Sequence, residues 1–271
     1  KAETLSAKLW ILTFEPHPRK IIAPETAPAL LTATRHKLHL LDRLNVDGCI
    51  LMPFAPEFRH LTAPEFLDLL ADSIPLLKHI VVGAHWKVGH KGQGTAETLK
   101  QWARDHAMGA SSVDAVTVAG EPVSSTRIRK AVVSGDLDTA AAMLGQPFSL
   151  WGTVIRGRGI GRTMGFPTAN IQPHNEVFPP AGIYAVTAEI GGEPFHGAAY
   201  IGRRPTFDHA GNEWTLEVFF FDLKHDIYDR EIIVRFIRKI RDDRKFRSPD
   251  ELSAQIREDV VRAKEILSHH V

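Results

Sequence analysis

The chain has 271 residues, which is long enough for two domains that each bury a hydrophobic core. With 33 Lys and Arg against 32 Asp and Glu, its formal net charge of +1 excludes the broad basic field of a nucleic-acid-binding protein. No apolar run approaches the roughly 20 residues of a membrane span, so we expect a soluble protein with no membrane partner.

The first half of the chain alternates short β-type runs with amphipathic stretches. Buried strands are predicted at residues 9–14, 49–54, 79–83 and 113–118, and helices at 35–44, 64–70, 95–106 and 136–144. This alternation is typical of a parallel sheet with helices on its faces. The single cysteine, Cys49, lies in the second apolar run, so we expect it to pack in the core. One cysteine can form no intramolecular disulfide, which fits a reducing, cytoplasmic compartment.

The triplet Gly145-Gln146-Pro147 interrupts this pattern, and we predict two domains, residues 1–146 and 147–271. Beyond it, β-runs at residues 151–155, 183–190, 195–201, 214–221 and 232–240 indicate a small antiparallel barrel or sandwich. A helix then closes the chain, with Ser248 as N-cap, Pro249 at its first position and Glu251 reaching back to the cap. Its apolar stripe is suited to docking on the barrel and consists of Leu252, Ile256, Val260, Ala263 and Leu267.

A glycine-rich stretch follows the first β-run of the second half. Gly157, Gly159, Gly161 and Gly165 fall within nine residues and can aim several backbone N–H groups at phosphate oxygens, although the same glycines also fit a flexible hairpin. Arg158 and Arg162 can add positive charge. Further on, Thr168 and Asn170 stand two residues apart, so in an extended segment both side chains can offer oxygens to Mg²⁺ and phosphates.

The run from Gly161 to Asn170 reads G-R-T-M-G-F-P-T-A-N and resembles the G-R-x-x-G-x-P-T-A-N signature of riboflavin kinases. Segments at residues 179–184, 201–207, 216–218, 226–228 and 241–246 agree with that family in order and spacing. The resemblance implies a six-stranded antiparallel barrel with a C-terminal helix that makes FMN and ADP from riboflavin and ATP. It also implies that Thr168 and Asn170 hold Mg²⁺. The implied ATP and phosphate site comprises Gly157, Gly159, Gly161, Arg162, Gly165, Pro167, Thr168 and Asn170.

Glu217 corresponds to the catalytic glutamate of that family, which accepts the proton of the ribityl 5′-hydroxyl. Phosphoryl transfer depends mostly on positioning of the reactants and neutralisation of phosphate charge. One carboxylate beside the metal, acting as general base, is therefore enough to complete the catalytic residues. Taken alone, Glu217 would be a solvent-facing or salt-bridged strand residue. By the same resemblance Arg241, Phe246 and Asp259 contact the flavin, and the alternative for Arg241 and Asp259 is surface charge.

The first half resembles the FMN adenylyltransferase module of bifunctional bacterial FAD synthetases, which converts FMN and ATP to FAD and pyrophosphate. Thr13 to Pro18 match T-F-x-P-H-P, including His17, and Ser124 to Arg129 match S-S-T-x-I-R. Hydroxyl residues that enter a helix present donors to a phosphate at the positive end of the helix dipole. The implied nucleotide site comprises His17, Ser124, Ser125, Thr126 and Arg129, and an ordinary serine N-cap is the alternative for the second motif.

The hallmark G-x-F-D-G-V-H-x-G-H of that module is absent from the sequence, and the segment from His85 to His90 is a poor substitute because it follows a later strand. We therefore expect an incomplete nucleotidyltransferase-like α/β domain. Either a segment precedes Lys1 in the native protein, or only kinase activity remains beside a relic first domain. A non-catalytic flavin-binding module is a further alternative, but it would need neither a metal site nor a base. The sequence leaves the oligomeric state open.

Overall fold

The computed structural model describes residues 1–157, 161, 164–204 and 213–269. The chain divides into two compact units: a first unit of residues 1–28 and 37–123, and a barrel unit of residues 29–36 and 124–271. Helices between residues 124 and 144 therefore group with the barrel unit, whereas the sequence-based boundary lies at residues 146 and 147. In the described part of the chain, no helix is both long and apolar enough to cross a membrane.

The first unit contains two parallel strand pairs, as the sequence predicts for an α/β fold. Strands β1 (Trp10–Glu15) and β2 (Gly48–Pro53) form one pair, and β3 (His79–Gly83) and β4 (Gly109–Val113) form the other. The helices are α1 (Pro18–Ile22), α2 (Thr34–Asp42, which begins in the barrel unit), α3 (Ala63–Ser73) and α4 (Ala96–Asp105). Leu67, Leu99 and Trp102 form the buried core between α3, α4 and the second pair. The prediction of buried strands is wrong for these four strands, since their residues are half-buried or, like Trp10, Leu51 and Val81, exposed. Cys49 is likewise half-buried and does not belong to a buried core.

The strand predicted at residues 113–118 is placed wrongly. β4 ends at Val113, and the following residues form a small hairpin of β5 (Thr117–Val118) and β6 (Glu121–Pro122). Ala119 and Gly120 both adopt left-handed backbone angles, with φ of 55° and 77°, which produce the tight turn between the two strands. The sequence pattern did not indicate β4 because four of its five residues, Gly-Ala-Ser-Ser, are small and have low strand propensity. Pairing with β3 decides its position.

Six antiparallel strands close the barrel in the order β10-β11-β8-β7-β12-β9, which confirms the expected architecture. They are β7 (Ser149–Ile155), β8 (Ala169–Pro173), β9 (Gly182–Ile190), β10 (Glu193–Arg204), β11 (Glu213–Phe220) and β12 (Glu231–Asp242). Alternate residues such as Leu150, Tyr184, Ile201, Leu216 and Phe236 point inward and are fully buried. The β-run pattern missed β8, in which Ile171 alone is buried.

Besides the six strands and the closing helix, the barrel unit contains two helices and an early segment of the chain, residues 29–36. Helices α5 (Ser125–Ser134) and α6 (Leu137–Leu144) precede the first barrel strand. Hydrogen bonds attach residues 29–36 to the barrel. Leu30 N–H donates to Glu176 Oε2 at 2.8 Å, Glu176 N–H donates to the Leu30 carbonyl at 3.2 Å, and Asn175 Nδ2 donates to the Leu31 carbonyl at 2.6 Å. The buried His36 also hydrogen-bonds Ser149 at 3.2 Å. The barrel unit is thus discontinuous in sequence.

The closing helix α7 (Pro249–Ser268) begins as the capping motif predicts, with one difference. Ser248 Oγ accepts a hydrogen bond from Glu251 N–H at 3.2 Å, but the Glu251 carboxylate accepts from Arg247 N–H at 2.9 Å, one residue before the cap. Ala263 and Leu267 are buried against the barrel, and Val260 is partly buried there. Leu252 and Ile256 are half-buried, so the stripe docks most firmly at its C-terminal end.

Candidate active site

Three polar side chains predicted from the sequence converge on neighbouring strands of the barrel. Asn170 of β8 is paired directly with Glu217 of β11, which places their side chains on the same face of the sheet. Thr168, two residues before Asn170, donates a hydrogen bond from Oγ1 to Glu217 Oε2 at 3.3 Å. All three residues are half-buried, so they are reachable from outside the barrel.

Glycines pack closely against these polar groups. A Cβ atom on Gly157 would overlap the Asn170 side-chain amide, and one on Gly161 would lie 3.2 Å from Thr168 Oγ1. Phe166 N–H donates to the Gly161 carbonyl at 2.8 Å, and Gly165 has a left-handed φ of 82° that completes this turn before Pro167. The glycines therefore allow the backbone to approach the polar cluster. Gly159 and Arg162, also predicted for the phosphate site, lie outside the described residues.

The donor set at this cluster is a hydroxyl, an amide and a carboxylate. Among the described residues, no group of three or more His, Cys, Asp or Glu side chains could hold a metal ion. Oxygen donors of this kind suit Mg²⁺, which usually takes one or two protein ligands and completes its shell with phosphates and water. The cluster thus fits a metal–nucleotide complex better than a metal bound by protein alone.

Arg241 and Asp259 form a largely buried ion pair, so the alternative that they are surface charges is wrong. Arg241 Nη2 lies 2.8 Å from Asp259 Oδ2 and Nε lies 2.9 Å from Oδ1, and the two side chains are 16% and 4% exposed. Gln255 Nε2 also donates to Asp259 Oδ1, at 3.1 Å. The Arg241 guanidinium stands 5.5 Å from the centre of the Phe246 ring, and Arg244 stands 4.8 Å from the same ring. Three residues predicted to contact the flavin therefore form one connected group.

The nucleotide-site residues predicted for the adenylyltransferase half lie in different units. In the first unit, His17 caps α1, where its Nδ1 accepts from Arg19 N–H at 3.2 Å. In the barrel unit, Ser124 is the N-cap of α5 and accepts from Arg127 N–H at 3.3 Å.

Other residues of the second motif also lie on α5. Ser125 and Thr126 are exposed in its first turn. Arg129 Nε donates to the Ala29 carbonyl at 2.7 Å, and burial lowers the pKa of its guanidinium below the ordinary value. The first turn of α5 thus presents hydroxyl groups at the positive end of a helix.

One residue beside the site was not singled out from the sequence. Tyr200 of β10 is paired directly with Glu217 on the side opposite Asn170. The alternation of side chains along the strand could have indicated its position. Ile201 points inward, so the side chain of Tyr200, one residue earlier, must point outward, to the face that carries Glu217.

Known proteins resemble this chain over most of its length. Residues 144–267 match the family model described as riboflavin kinase, and residues 1–127 match the model described as FAD synthetase. A bifunctional riboflavin kinase/FMN adenylyltransferase of Haemophilus influenzae is 36% identical over 97% of this chain and 85% of its own length. The proteins of the same name in Escherichia coli K12 and Bacillus subtilis are 37% and 34% identical, over 94% and 97% of this chain and 81% and 83% of their own lengths.

A solved structure has a similar fold throughout. It is described as a macrolide-efflux protein from Streptococcus pneumoniae, and it superposes with a TM-score of 0.82 at 32% identity. The superposition covers 95% of this chain and 84% of that structure, so both units are shared.

Proposed function

The chain belongs to the family of bifunctional riboflavin kinase/FMN adenylyltransferases, and from this premise we propose that its barrel transfers the γ-phosphoryl group of ATP to riboflavin. The products are FMN and ADP. The observation that carries the proposal is the convergence of Thr168, Asn170 and Glu217 on one face of the barrel. We assign residues 147–271 to this kinase activity and residues 1–146 to the second activity described below.

Glu217 is the general base in this proposal. The ribityl 5′-oxygen forms the new bond to the γ-phosphorus while the bond from that phosphorus to the β,γ-bridging oxygen breaks. Glu217 accepts the proton of the 5′-hydroxyl, and ADP leaves with the bridging oxygen. The hydrogen bond from Thr168 supports this role because it holds the carboxylate in one orientation.

Thr168 and Asn170 are the proposed protein ligands of Mg²⁺. A bound Mg²⁺ would neutralise charge on the β- and γ-phosphates of ATP. The Thr168 hydroxyl donates a hydrogen bond to Glu217, so its oxygen lone pairs can face a cation at the same time. Because Gly157 and Gly161 have no side chains, the backbone can lie directly against Asn170 and Thr168. Gly159, Arg162, Gly165 and Pro167 complete the proposed phosphate loop.

The flavin ring is proposed to lie near Phe246 and the Arg241 guanidinium. Asp259 has a different role, because it is almost fully buried and hydrogen-bonded by both Arg241 and Gln255. It therefore fixes Arg241 rather than contacting the flavin itself. The proposed flavin surface therefore combines a guanidinium group with an aromatic ring.

The second proposed activity is the adenylylation of FMN. The FMN phosphate attacks the α-phosphorus of ATP, and the products are FAD and pyrophosphate. The match of residues 1–127 to FAD synthetase supports this activity, and the first turn of α5 supplies hydroxyl donors for a phosphate. His17, Ser124, Ser125, Thr126 and Arg129 are the residues proposed to take part.

Two assays test the proposals separately. The purified chain is incubated with riboflavin, ATP and MgCl₂, and FMN and ADP are quantified by chromatography. We expect one ADP for each FMN. Riboflavin that binds without conversion would favour a flavin-binding module and contradict the kinase proposal. A second incubation with FMN and ATP tests FAD formation, and the absence of FAD would limit this chain to kinase activity.

A further inference from the structure

A row of side chains crosses the outer face of the barrel in direct strand register. Each member is half-buried, whereas the strand neighbours on the inner face, such as Leu216 and Ile201, are fully buried. Directly paired residues of antiparallel strands point to the same face. In order around the barrel the row consists of Asn170, Glu217, Tyr200, Ile183 and Arg241.

This row connects the proposed base with the arginine proposed to face the flavin. Glu217 and Arg241 are separated by three strand spacings of about 4.8 Å, or about 14 Å along the barrel surface. A tricyclic ring that carries a five-carbon chain has a comparable length. The row can therefore place the ribityl end of riboflavin at Glu217 and its ring near Arg241, with Tyr200 between them.

Tyr200 extends from this row toward the loop that follows β12. Its side chain lies over Gly202, where any Cβ atom would overlap the tyrosine hydroxyl. That hydroxyl donates a hydrogen bond to Asp243 Oδ2 at 3.2 Å. Asp243 is the first residue of the loop 243–247, which carries Phe246. The absence of a side chain at residue 202 thus gives Tyr200 its path to the loop.

The same loop is fastened to helix α7 at another point. Arg244 Nη2 donates to Gln255 Oε1 at 2.6 Å, while its guanidinium covers the Phe246 ring. The loop is therefore held by the helix through Arg244 and by the barrel face through Asp243. Loss of the second attachment would leave Phe246 less firmly placed beside Arg241, at the end of the row.

We propose that Tyr200 is a positioning residue for riboflavin: by holding Asp243, it ties the loop that carries Phe246 to the barrel face that carries Glu217. This inference rests on the proposed kinase function. Tyr200 acts through Asp243, and no contact between its hydroxyl and the reacting atoms is required. Its effect should accordingly appear in riboflavin binding and leave the chemical step and ATP binding unchanged.

The test compares Tyr200→Phe and Asp243→Ala with the double variant in the full chain. Each single variant should raise KM for riboflavin about threefold to tenfold, the range that corresponds to one lost hydrogen bond. The double variant should be no worse than either single one, because both remove the same bond. KM for ATP and kcat should stay within about twofold of the original values, as expected for a uniform loss of binding.

Two further variants serve as controls. Asp243→Asn keeps a hydrogen-bond acceptor and should retain the original KM for riboflavin. Asp242→Ala removes the adjacent exposed carboxylate, which pairs with Lys239 instead, so a general charge effect would appear there equally. We expect Asp242→Ala to leave KM for riboflavin unchanged.

The inference is overturned if Tyr200→Phe has an unchanged KM for riboflavin, or if the two single effects add in the double variant. It is also overturned if kcat and KM for ATP change together with a lower unfolding midpoint, which would indicate a structural role. If the unmodified chain binds riboflavin but makes no FMN, the kinase proposal fails by itself. The same comparison then uses the riboflavin Kd, and an unchanged Kd in Tyr200→Phe would overturn the positioning role.

Discussion

The Thr168 hydroxyl donates to Glu217 Oε2 across 3.3 Å, although 49 positions separate the two residues in sequence. The pairing of β8 with β11 brings them together, because Asn170 and Glu217 are direct cross-strand neighbours. A proposed metal ligand and the proposed base are thus joined by one hydrogen bond. Substitutions at either residue should consequently affect both metal use and proton transfer.

Replacement of Glu217 by Gln should abolish measurable FMN formation while riboflavin binding persists. The amide keeps the shape of the side chain but cannot accept the proton of the 5′-hydroxyl, and loss of a general base costs about 10²- to 10⁴-fold in rate. The measurements are kcat for FMN formation and riboflavin binding followed by fluorescence. Glu193→Gln, on the exposed start of β10, is the matched control and should retain full activity. Near-normal kcat in Glu217→Gln would refute the base assignment.

Replacement of Thr168 by Ala should increase the MgCl₂ concentration needed for half-maximal FMN formation by about tenfold or more, the size typical of a disrupted metal site. The alanine removes both the proposed metal ligand and the hydrogen bond to Glu217. Thr168→Ser keeps the hydroxyl and should need only slightly more MgCl₂ than the original chain. If the alanine and serine variants show the same MgCl₂ dependence, Thr168 is not a ligand.

Replacement of Asp259 by Ala should destabilise the barrel unit by about 3–5 kcal/mol, because it leaves the largely buried Arg241 charge without its carboxylate. Urea unfolding followed by tryptophan fluorescence measures this change in the free energy of unfolding. The neighbouring exposed Glu258, which accepts a hydrogen bond from Gln255, provides the control. Glu258→Ala should cost less than about 1 kcal/mol. Equal costs for the two alanine variants would contradict a structural role for the buried pair.

Joint replacement of Ser125 and Thr126 by Ala should reduce FAD formation from FMN and leave FMN formation unchanged. Both hydroxyls are exposed at the first turn of α5, where they can donate to a phosphate near the positive end of the helix dipole. Ser134→Ala, at the last residue of the same helix, should preserve both activities. A parallel loss of FMN and FAD formation in the double variant would indicate damage to the barrel unit instead.

The fold was largely predictable because strands with strict alternation carry a strong signal. The pattern around Leu216 and Val218 alternates buried and half-buried residues, and the observed strand β11 follows it. β8 lacked such a pattern because its residues at one end face the candidate site and are polar. Its position is decided by pairing with β7 and β11, which is a long-range property that local periodicity does not contain.

The candidate site was predictable in composition and only partly in geometry. The motif around Thr168 and Asn170 indicated oxygen ligands, but their contact with Glu217 depends on strand register. The burial of Arg241 and Asp259 was not predictable, because it follows from the docking of α7 beside the end of β12. Charged residues are ordinarily solvated, which is why surface charge stood as the alternative to flavin contact for these two residues.

The attachment of residues 29–36 to the barrel has a consequence for biosynthesis. Leu30 leaves the ribosome 146 positions before its partner Glu176, so its native hydrogen bond must wait for most of the chain to be made. Closing a loop of that length carries an entropic cost that the later barrel contacts must offset. A barrel excised from residue 147 onward would lack Leu31 and His36, leaving Asn175 and Ser149 without these native partners. We expect such a fragment to be less stable than the barrel of the full chain, and a peptide of residues 29–36 supplied in trans to raise its unfolding midpoint.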